Sequence, residues 1–161
     1  MLEWYFRGKP TRWLRLRNLL ESIFRWVPKV NVDEPNILGE KDGYWIYNEL
    51  RSLGCTYIFL SDEKYQVTDK ASIAQFLALD DTDKEKYTPV WFDCDNFSFR
   101  LMGQFHRGKW ACLAFGIGWS ETHAFNVFFD DKECYIVEPQ TDNIIKASEA
   151  PSQYKLYFAV I

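Results

Sequence analysis

Residues 91–100 read WFDCDNFSFR, and this stretch organises the chain because it marks the start of a helix and places a thiol there. Asp93 predicts the N-cap, since its carboxylate can accept a hydrogen bond from a free N–H of the first turn. Cys94 then lies at the helix N-terminus, where the macrodipole and the unpaired N–H groups favour a thiolate over a thiol. The same N–H groups could bind the oxyanion of a tetrahedral intermediate. The stretch therefore predicts a nucleophilic cysteine.

Two β-rich runs further along the chain predict a hairpin that would place a base beside a carboxylate. His123 opens the first run, the sequence DDKE follows as a tight turn, and Glu138 closes the second run. If Asp130 and Asp131 form a two-residue turn, His123 and Glu138 face each other directly, with Cβ atoms within roughly 5.5 Å. A nucleophilic cysteine needs a base, and the base needs an orienting group. The hairpin therefore predicts the two partners of Cys94.

Three motifs in this order carry a resemblance to a known family. DCDNFS at Cys94, HAFNV at His123 and VEPQTD at Glu138 resemble the protease domain of the fungal agglutinin family, which joins a lectin to a calcium-dependent, papain-like cysteine protease domain. Lectin-free relatives of that family occur in bacteria and phages. The first motif is also similar to bacterial transglutaminase-like cysteine proteinases. The resemblance covers roughly residues 44–142 and implies Cys94 as nucleophile, His123 as base and Glu138 as the orienting carboxylate.

Acidic and amide side chains near the cysteine indicate a cation. Asp93 and Asp95 flank the thiol, and their negative charge disfavours a thiolate unless a cation or an ion pair relieves it. Calcium prefers oxygen ligands of this kind, and the resemblance also implies calcium, with Asp93, Asp95, Asn96 and Asp142 as its ligands. Asn96 departs from the family pattern, which has aspartate there. A second acidic run, residues 80–85, is interpreted as a solvated loop, with calcium binding as the alternative.

Length and composition predict one globular domain. A chain of 161 residues suits a single buried core, and 13 Phe, 9 Tyr and 7 Trp argue against disorder. The sequence has no apolar run long enough for a membrane span and no secretory signal pattern, so we expect a cytoplasmic protein with reduced thiols. Cys55, Cys112 and Cys134 lie in apolar runs without metal-finger spacing, which predicts buried structural thiols.

Charge divides the chain into a basic and an acidic part. Residues 1–30 carry seven basic and two acidic side chains, a charge of +5, so the net charge of −4 leaves −9 for the remainder. An acidic body argues against nucleic-acid binding. Residues 1–30 predict a basic aromatic helical segment that packs on the domain, binds a protein partner, or lies on an anionic membrane surface. Residues 31–43 predict a linker, and residues 44–161 the domain.

Shorter patterns predict the remaining elements. They are a helix over residues 44–53 closed by Gly54, a buried strand over residues 56–60, a helix through Leu79 capped by Thr68, and a central strand over residues 110–118.

The sequence predicts an α+β, papain-like or transglutaminase-like fold, with the helix that bears Cys94 packed on an antiparallel sheet that bears His123 and Glu138. The expected function is a cysteine peptidase. Cys94 would attack the carbonyl of a peptide or protein substrate, His123 would take and return the proton, and Glu138 would hold the imidazole. Two alternatives stay open: an amidase or acyltransferase with the same triad, and a catalytically silent binding module of the same fold.

Overall fold

Aromatic and β-branched runs in the second half of the chain form the sheet at the centre of the domain. The computed structural model describes residues 33–161. The helices are α1 (Gly43–Ser52), α2 (Lys70–Leu79) and α3 (Cys94–Phe105). The strands are β1 (Ile37–Asp42), β2 (Tyr57–Phe59), β3 (Lys64–Thr68), β4 (Phe115–Trp119), β5 (Ala124–Phe129), β6 (Cys134–Glu138), β7 (Asn143–Lys146) and β8 (Phe158–Val160). The α+β class predicted from the sequence is confirmed.

Six of these strands form one sheet in the order β2-β8-β4-β5-β6-β7. β2 runs parallel to β8, and the other neighbours are antiparallel. Gly116 on β4 lets β8 approach closely, because a Cβ atom there would lie 2.0 Å from the carbonyl oxygen of Val160. β1 and β3 form a separate two-stranded sheet.

The central strands bury side chains on both faces of the six-stranded sheet. Phe125 and Val127 of β5 belong to a first core cluster, together with residues of α1 and with Tyr154. Phe128 belongs to a second core cluster, together with residues of α2 and with Leu101 of α3. Because side chains alternate along a strand, the first cluster and helix α3 lie on opposite faces of β5.

Helix α3 begins where the sequence predicts, with Asp93 as the N-cap residue. Asn96 Oδ1 accepts a hydrogen bond from Asp93 N at 3.1 Å, and Asp95 Oδ1 accepts one from Asn96 N at 2.8 Å. Side chains of the first turn therefore bind the free N–H groups that begin a helix. Helix α2 is capped by Asp69, which accepts from Ser72 N at 2.7 Å, and not by the predicted Thr68.

The β5–β6 hairpin has a different register from the predicted one. Asn126 pairs with Val137, so Glu138 does not stand directly opposite His123. The turn contains four residues, closed by a hydrogen bond from Asp130 N to Glu133 O at 3.1 Å, and the prediction of a two-residue turn is wrong. The register error is two residues. A shift of two keeps each side chain on its face, so His123 and Glu138 remain diagonal neighbours.

Several other predictions need correction. The run over residues 56–60 forms only β2, an edge strand whose Tyr57 and Phe59 are exposed and not buried. Residues 110–118 include a 3₁₀ turn, Gly108–Cys112, before β4 begins, and this turn leaves Cys112 exposed. Within the predicted linker over residues 31–43, β1 forms a strand paired with β3.

The predicted basic segment over residues 1–30 lies outside the described residues. In residues 33–161, no helix has the length and apolar character needed to cross a membrane.

Candidate functional site

An imidazole–carboxylate pair lies at the open end of the β5–β6 hairpin. His123 Nε2 is 2.7 Å from Glu138 Oε2. His123 precedes β5 and is fixed by a turn in which Ser120 Oγ accepts a hydrogen bond from His123 N at 3.0 Å. Glu138 is the last residue of β6. The predicted contact between these two side chains therefore exists, although the register of the β5–β6 hairpin differs from the predicted one.

Glu138 is a buried carboxylate with several donors. Besides His123, Tyr154 Oη donates to Glu138 Oε2 at 2.9 Å, and Gln140 N donates to Oε1 at 3.3 Å. Burial by itself would raise the pKa of Glu138, but the hydrogen bond and charge of His123, with the Tyr154 and Gln140 donors, bring this pKa below its ordinary value. Glu138 is therefore an ionised group whose two oxygens are both bound.

The pair forms part of an open depression of about 470 Å³, which we call the His123 depression. The imidazole packs edge-on against the Tyr154 ring at 5.6 Å between centroids. The remaining lining residues are Thr141 and three amide side chains, Gln140, Asn143 and Gln153. The depression thus presents amide donors and acceptors around one buried negative charge and one aromatic ring.

Cys94 is the residue of the predicted triad that forms no hydrogen bond with the other two, His123 and Glu138, among the described residues. It is half-buried at the first position of α3, and no hydrogen bond connects its Sγ with His123 or Glu138 among the described residues. Helix α3 packs into the second core cluster, whereas His123 and Glu138 both contact Tyr154 of the first cluster. The structure pairs two of the three residues of the predicted triad.

The predicted calcium ligands fall into two groups. The neighbouring Asp93 carboxyl, followed by burial, raises the pKa of Asp95. Asn96 Oδ1 is already bound to the backbone of Asp93. In residues 33–161, no group of three or more His, Cys, Asp or Glu side chains could hold a metal ion. The side chains here do not form a ready ligand set, and calcium binding stays a prediction.

The remaining predicted ligand, Asp142, interacts with different carboxylates. It adopts a left-handed backbone conformation with φ 58° just after β6. Burial, followed by the negative charges of Asp83 and Asp80, raises the pKa of Asp142 to about 6. Asp80 is itself buried, and its Oδ2 has no hydrogen-bond partner in the described part of the chain.

Sequence reasoning missed two residues that build this region. Asn126 is fully buried and its Nδ2 donates to Ser98 O at 3.0 Å and to Gly116 O at 3.1 Å, which joins α3 to the sheet. An asparagine within an otherwise apolar strand was the available signal. Tyr154, the third partner in the Glu138 network, lies in a short 3₁₀ turn (Ser152–Tyr154) that no periodicity marks.

Comparison with known proteins gives fold similarity alone. No protein-family model matches the chain, and neither does any curated protein. A solved structure titled "PSL1a-E64 complex" is similar at TM-score 0.62 and 22% identity, over 76% of this chain and 51% of that one. A second structure, Polyporus squamosus lectin bound to the human-type influenza-binding epitope Neu5Aca2-6Galb1-4GlcNAc, is similar at TM-score 0.59 and 20% identity, over 76% and 49%. The chain spans about half the length of these structures.

These findings contradict the predicted peptidase. The second of the similar structures carries the name of a lectin, so the resemblance to a cysteine protease domain and the assignment as a hydrolase are wrong. The predicted nucleophile, base and orienting carboxylate are therefore not carried further as an enzyme mechanism.

Proposed function

We propose that residues 33–161 form a catalytically silent binding module that takes a glycan in the His123 depression. The observation that carries this proposal is the composition of the depression, where amide side chains and an aromatic ring surround the His123–Glu138 pair. Sugars present hydroxyl groups that both donate and accept hydrogen bonds, which suits amide side chains. A small number of fixed polar groups beside an aromatic surface is the general composition of a ligand site.

The Glu138 network supports a binding role because it holds the depression in shape. Its carboxylate is engaged by His123, Tyr154 and Gln140, so these groups have fixed orientations before a ligand arrives. Preorganised groups lose less conformational entropy on binding, which leaves more of the interaction energy for affinity. The open shape of the depression suits a ligand that remains partly in solvent.

The similar structures add a ligand class to this proposal. One of them binds a trisaccharide of N-acetylneuraminic acid, galactose and N-acetylglucosamine. Because this chain spans about half of that protein, the likeness does not say which half holds the glycan. We therefore base glycan binding by this chain on the chemistry of the His123 depression, with the neighbour as support for the class. The fold proposed for the module is papain-like, with α3 packed on the antiparallel sheet.

Nuclear magnetic resonance titration of the full chain with the neutral disaccharide Galβ1-4GlcNAc tests the proposal. We expect the backbone amides of Gln140, Asn143 and Gln153 to shift with saturation. Gln153→Ala removes an exposed amide from the lining and should weaken binding about fivefold, the loss of roughly one hydrogen bond. Lys132→Ala, in the β5–β6 turn at the far end of the hairpin, is the matched control and should bind as the wild type does.

Two results would contradict the binding module. One is the absence of any saturable shift in the His123 depression with the disaccharide. The other is a covalent mass adduct on Cys94 after incubation with E64, absent in Cys94→Ala, since a silent module has no reason to carry a selectively reactive thiol among four free cysteines.

A further inference from the structure

The six-stranded sheet ends in an edge strand that has no neighbour on its outer side among the described residues. β2 pairs with β8 and with no other strand there. Tyr57 N donates to Tyr157 O at 3.0 Å, and Phe59 O accepts from Ile161 N at 3.0 Å. Because alternate residues of a paired strand turn their backbone groups toward the neighbour, the N–H and C=O groups of Ile58 face away from β8. This edge is therefore open to a further strand.

The same alternation continues past the end of β2. Ser61 N donates at 2.9 Å to the carbonyl oxygen that follows β8, so Leu60, which precedes Ser61, turns its backbone groups outward. We call the outward backbone groups of Ile58 and Leu60, together with the rings of Tyr57 and Phe59, the β2 edge. It presents the donors and acceptors of two residues to a partner.

The sequence of the β2 edge lacks the features that usually prevent strand addition. Residues 55–60 read CTYIFL, without a charged residue or a proline. Natural edge strands are commonly protected by lysine, by proline or by a bulge, and an unprotected apolar edge is a template for pairing. β2 has only three residues, so backbone pairing alone would hold a partner weakly. Side-chain contacts have to contribute to any binding here.

Exposed aromatic rings at the β2 edge supply such contacts. Tyr57 is 54% exposed and Phe59 is 60% exposed. Tyr57 lies in register with Phe158 of β8, and Phe158 with Trp119 of β4, so these three side chains share one face of the sheet. The Trp119 ring contacts Phe99 of α3 at 6.0 Å between centroids, which identifies this face as the one on which α3 lies. Apolar side chains of an added strand would pack on this face against Tyr57 and Phe59.

Charges at the two ends of the β2 edge favour one orientation of a partner strand. Arg51 is exposed, and its Nη1 donates to two backbone carbonyls just before β2 at 2.9 and 3.4 Å. Asp62 and Glu63 are exposed beyond the other end of β2, where Lys64 is paired with Glu40 at 2.8 Å. Opposite charges on neighbouring strands stabilise the pairing. An antiparallel partner that fits begins with a basic residue and ends with an acidic one.

We propose that the β2 edge binds an extended peptide segment of a protein partner, which adds to the sheet as a further strand antiparallel to β2. The peptide backbone exchanges hydrogen bonds with Ile58 and Leu60, and alternate apolar side chains of the peptide cover Tyr57 and Phe59. A peptide is the ligand class because a row of backbone donors and acceptors is matched by another strand. The inference goes beyond glycan binding, since β2 contributes no residue to the His123 depression.

Titration of the full chain with the synthetic peptide acetyl-Lys-Val-Thr-Val-Thr-Val-Glu-amide, followed by nuclear magnetic resonance, tests the inference. In antiparallel register its valines face the aromatic rings, and its two threonines lie opposite Ile58 and Leu60. We expect saturable shifts and slower hydrogen exchange at the amides of Ile58 and Leu60, because both N–H groups become hydrogen-bonded. The peptide with its Lys and Glu exchanged should bind about fivefold more weakly. Absence of saturable shifts at these amides would overturn the inference.

Backbone methylation of the peptide distinguishes strand addition from unspecific apolar contact. Methyl groups on the nitrogens of both threonines remove the two donors that face β2 and should weaken binding about tenfold or more. Methyl groups on the nitrogens of the first two valines point away from β2 and should weaken binding less than about threefold. An equal loss of affinity for the two methylated peptides would overturn strand addition.

A substitution in the protein tests the same surface from the other side. Phe59→Lys removes an aromatic contact and places a charge on the edge strand, so we expect it to weaken the peptide about tenfold. Tyr87→Lys introduces the same charge at another exposed aromatic residue, which is 50% exposed and lies outside β2. This control should bind the peptide as the wild type does. Equal affinities of the two variants would contradict the assigned surface.

Two further results would overturn the inference by naming another occupant. One is a response of Ile58 and Leu60 to Galβ1-4GlcNAc without a response to the peptide. The other is dimerisation of the wild type in sedimentation experiments that Phe59→Lys abolishes, since a second copy of this chain would then cover the β2 edge. The response of the His123 depression to the disaccharide is measured separately, so the peptide site and the proposed glycan site can fail independently.

Discussion

The two faces of the central sheet each bury one polar side chain, and the two side chains are used differently. Asn126 on β5 is fully buried, and its amide donates to two backbone carbonyls, Ser98 O and Gly116 O. Glu138 on β6 is 6% exposed and is bound by His123 and Tyr154. One network is closed to solvent and joins helix to sheet, although Asn126 Oδ1 has no hydrogen-bond partner among the described residues, and the other opens into a depression.

The difference shows how a buried polar group relates to function in this fold. Backbone carbonyls cannot rearrange without moving a strand or a helix, so the contacts of Asn126 specify architecture. Side-chain partners at the edge of solvent can be reached by a ligand, so the contacts of Glu138 shape a site. Both strands belong to one hairpin, and the two roles lie on its opposite faces.

Asn126→Asp should break the closed network of Asn126 and cause the largest loss in the free energy of unfolding. A carboxylate would place negative charge against two carbonyl oxygens and lose both donated hydrogen bonds, at a cost above about 3 kcal/mol in the free energy of unfolding. Urea denaturation at pH 7 measures this cost. The control is Asn143→Asp, the same change at an exposed position, which should cost less than about 0.5 kcal/mol. Equal stability of the two variants would contradict the closed network.

Glu138→Gln should have an intermediate effect. It removes the charge that His123 and Tyr154 bind and should cost about 2 kcal/mol at pH 7, within the range for hydrogen bonds to charged groups. The pKa of Glu138 is lowered in the folded state. The wild type is therefore more stable than Glu138→Gln above the ordinary carboxyl pKa, and this difference in stability is lost as the pH falls through the folded pKa. Denaturation curves at pH 7 and pH 3 measure both statements.

The control for that change is Glu133→Gln, which alters the half-exposed partner of Lys146 at the turn end of the hairpin. Its expected cost is below about 1 kcal/mol because solvent screens the pair. A larger loss in the free energy of unfolding for Glu133→Gln than for Glu138→Gln would show that burial does not make the Glu138 contacts the stronger ones.

Tyr154→Phe should have a smaller effect than Glu138→Gln. The substitution removes one hydroxyl that donates to Glu138 and should cost about 1 kcal/mol. Tyr135 is equally buried, and its hydroxyl lies 3.2 Å from the more exposed Glu133, so Tyr135→Phe is a matched control with an expected cost of about 0.5 kcal/mol. Urea denaturation of the pair checks the order. If Tyr135→Phe cost more than Tyr154→Phe, the hydrogen bond to Glu138 would be the weaker of the two.

Local signals predict the part of the fold near Cys94. Asp93 correctly predicts the start of α3, because a helix cap is read from adjacent residues. The two strands of the hairpin are also predicted. The contact between His123 and Glu138 follows from their shared face and survives a wrong register, because an error of two residues does not change the face.

Contacts between distant segments are not encoded in such local signals. The four-residue turn depends on Asp130 Oδ1, which accepts from Lys132 N and Glu133 N, and the sequence DDKE is equally compatible with a shorter turn. Tyr154 reaches Glu138 from a segment without periodicity. The position of Cys94 depends on how α3 packs on the sheet, and this packing is tertiary.

The smallest expected effect is at Asp142, on the border of the open network, and it concerns pH. Its pKa is raised to about 6 by burial and by Asp83 and Asp80, partly offset by Lys84. A raised carboxyl pKa means that the folded state holds the proton more tightly than the unfolded state. The resulting stability is fully present below the ordinary value of 3.8 and is lost as the pH rises through about 6.

Asp142→Asn should therefore stabilise the protein at pH 7.5 and leave it unchanged near pH 3.5. Asparagine tolerates the left-handed conformation at φ 58°, and the hydrogen bond from the backbone N of residue 142 to Glu138 O does not depend on the side chain. We expect a gain below about 1 kcal/mol, after discounting the shift for the solvent that still reaches this half-buried group. Asp131→Asn, in the exposed hairpin turn, carries the same change of net charge and should show no comparable pH-dependent gain. Denaturation midpoints from pH 3.5 to 7.5 measure the difference between the variants. Parallel curves for the two would show that net charge, and not the carboxylates around Asp142, sets its response.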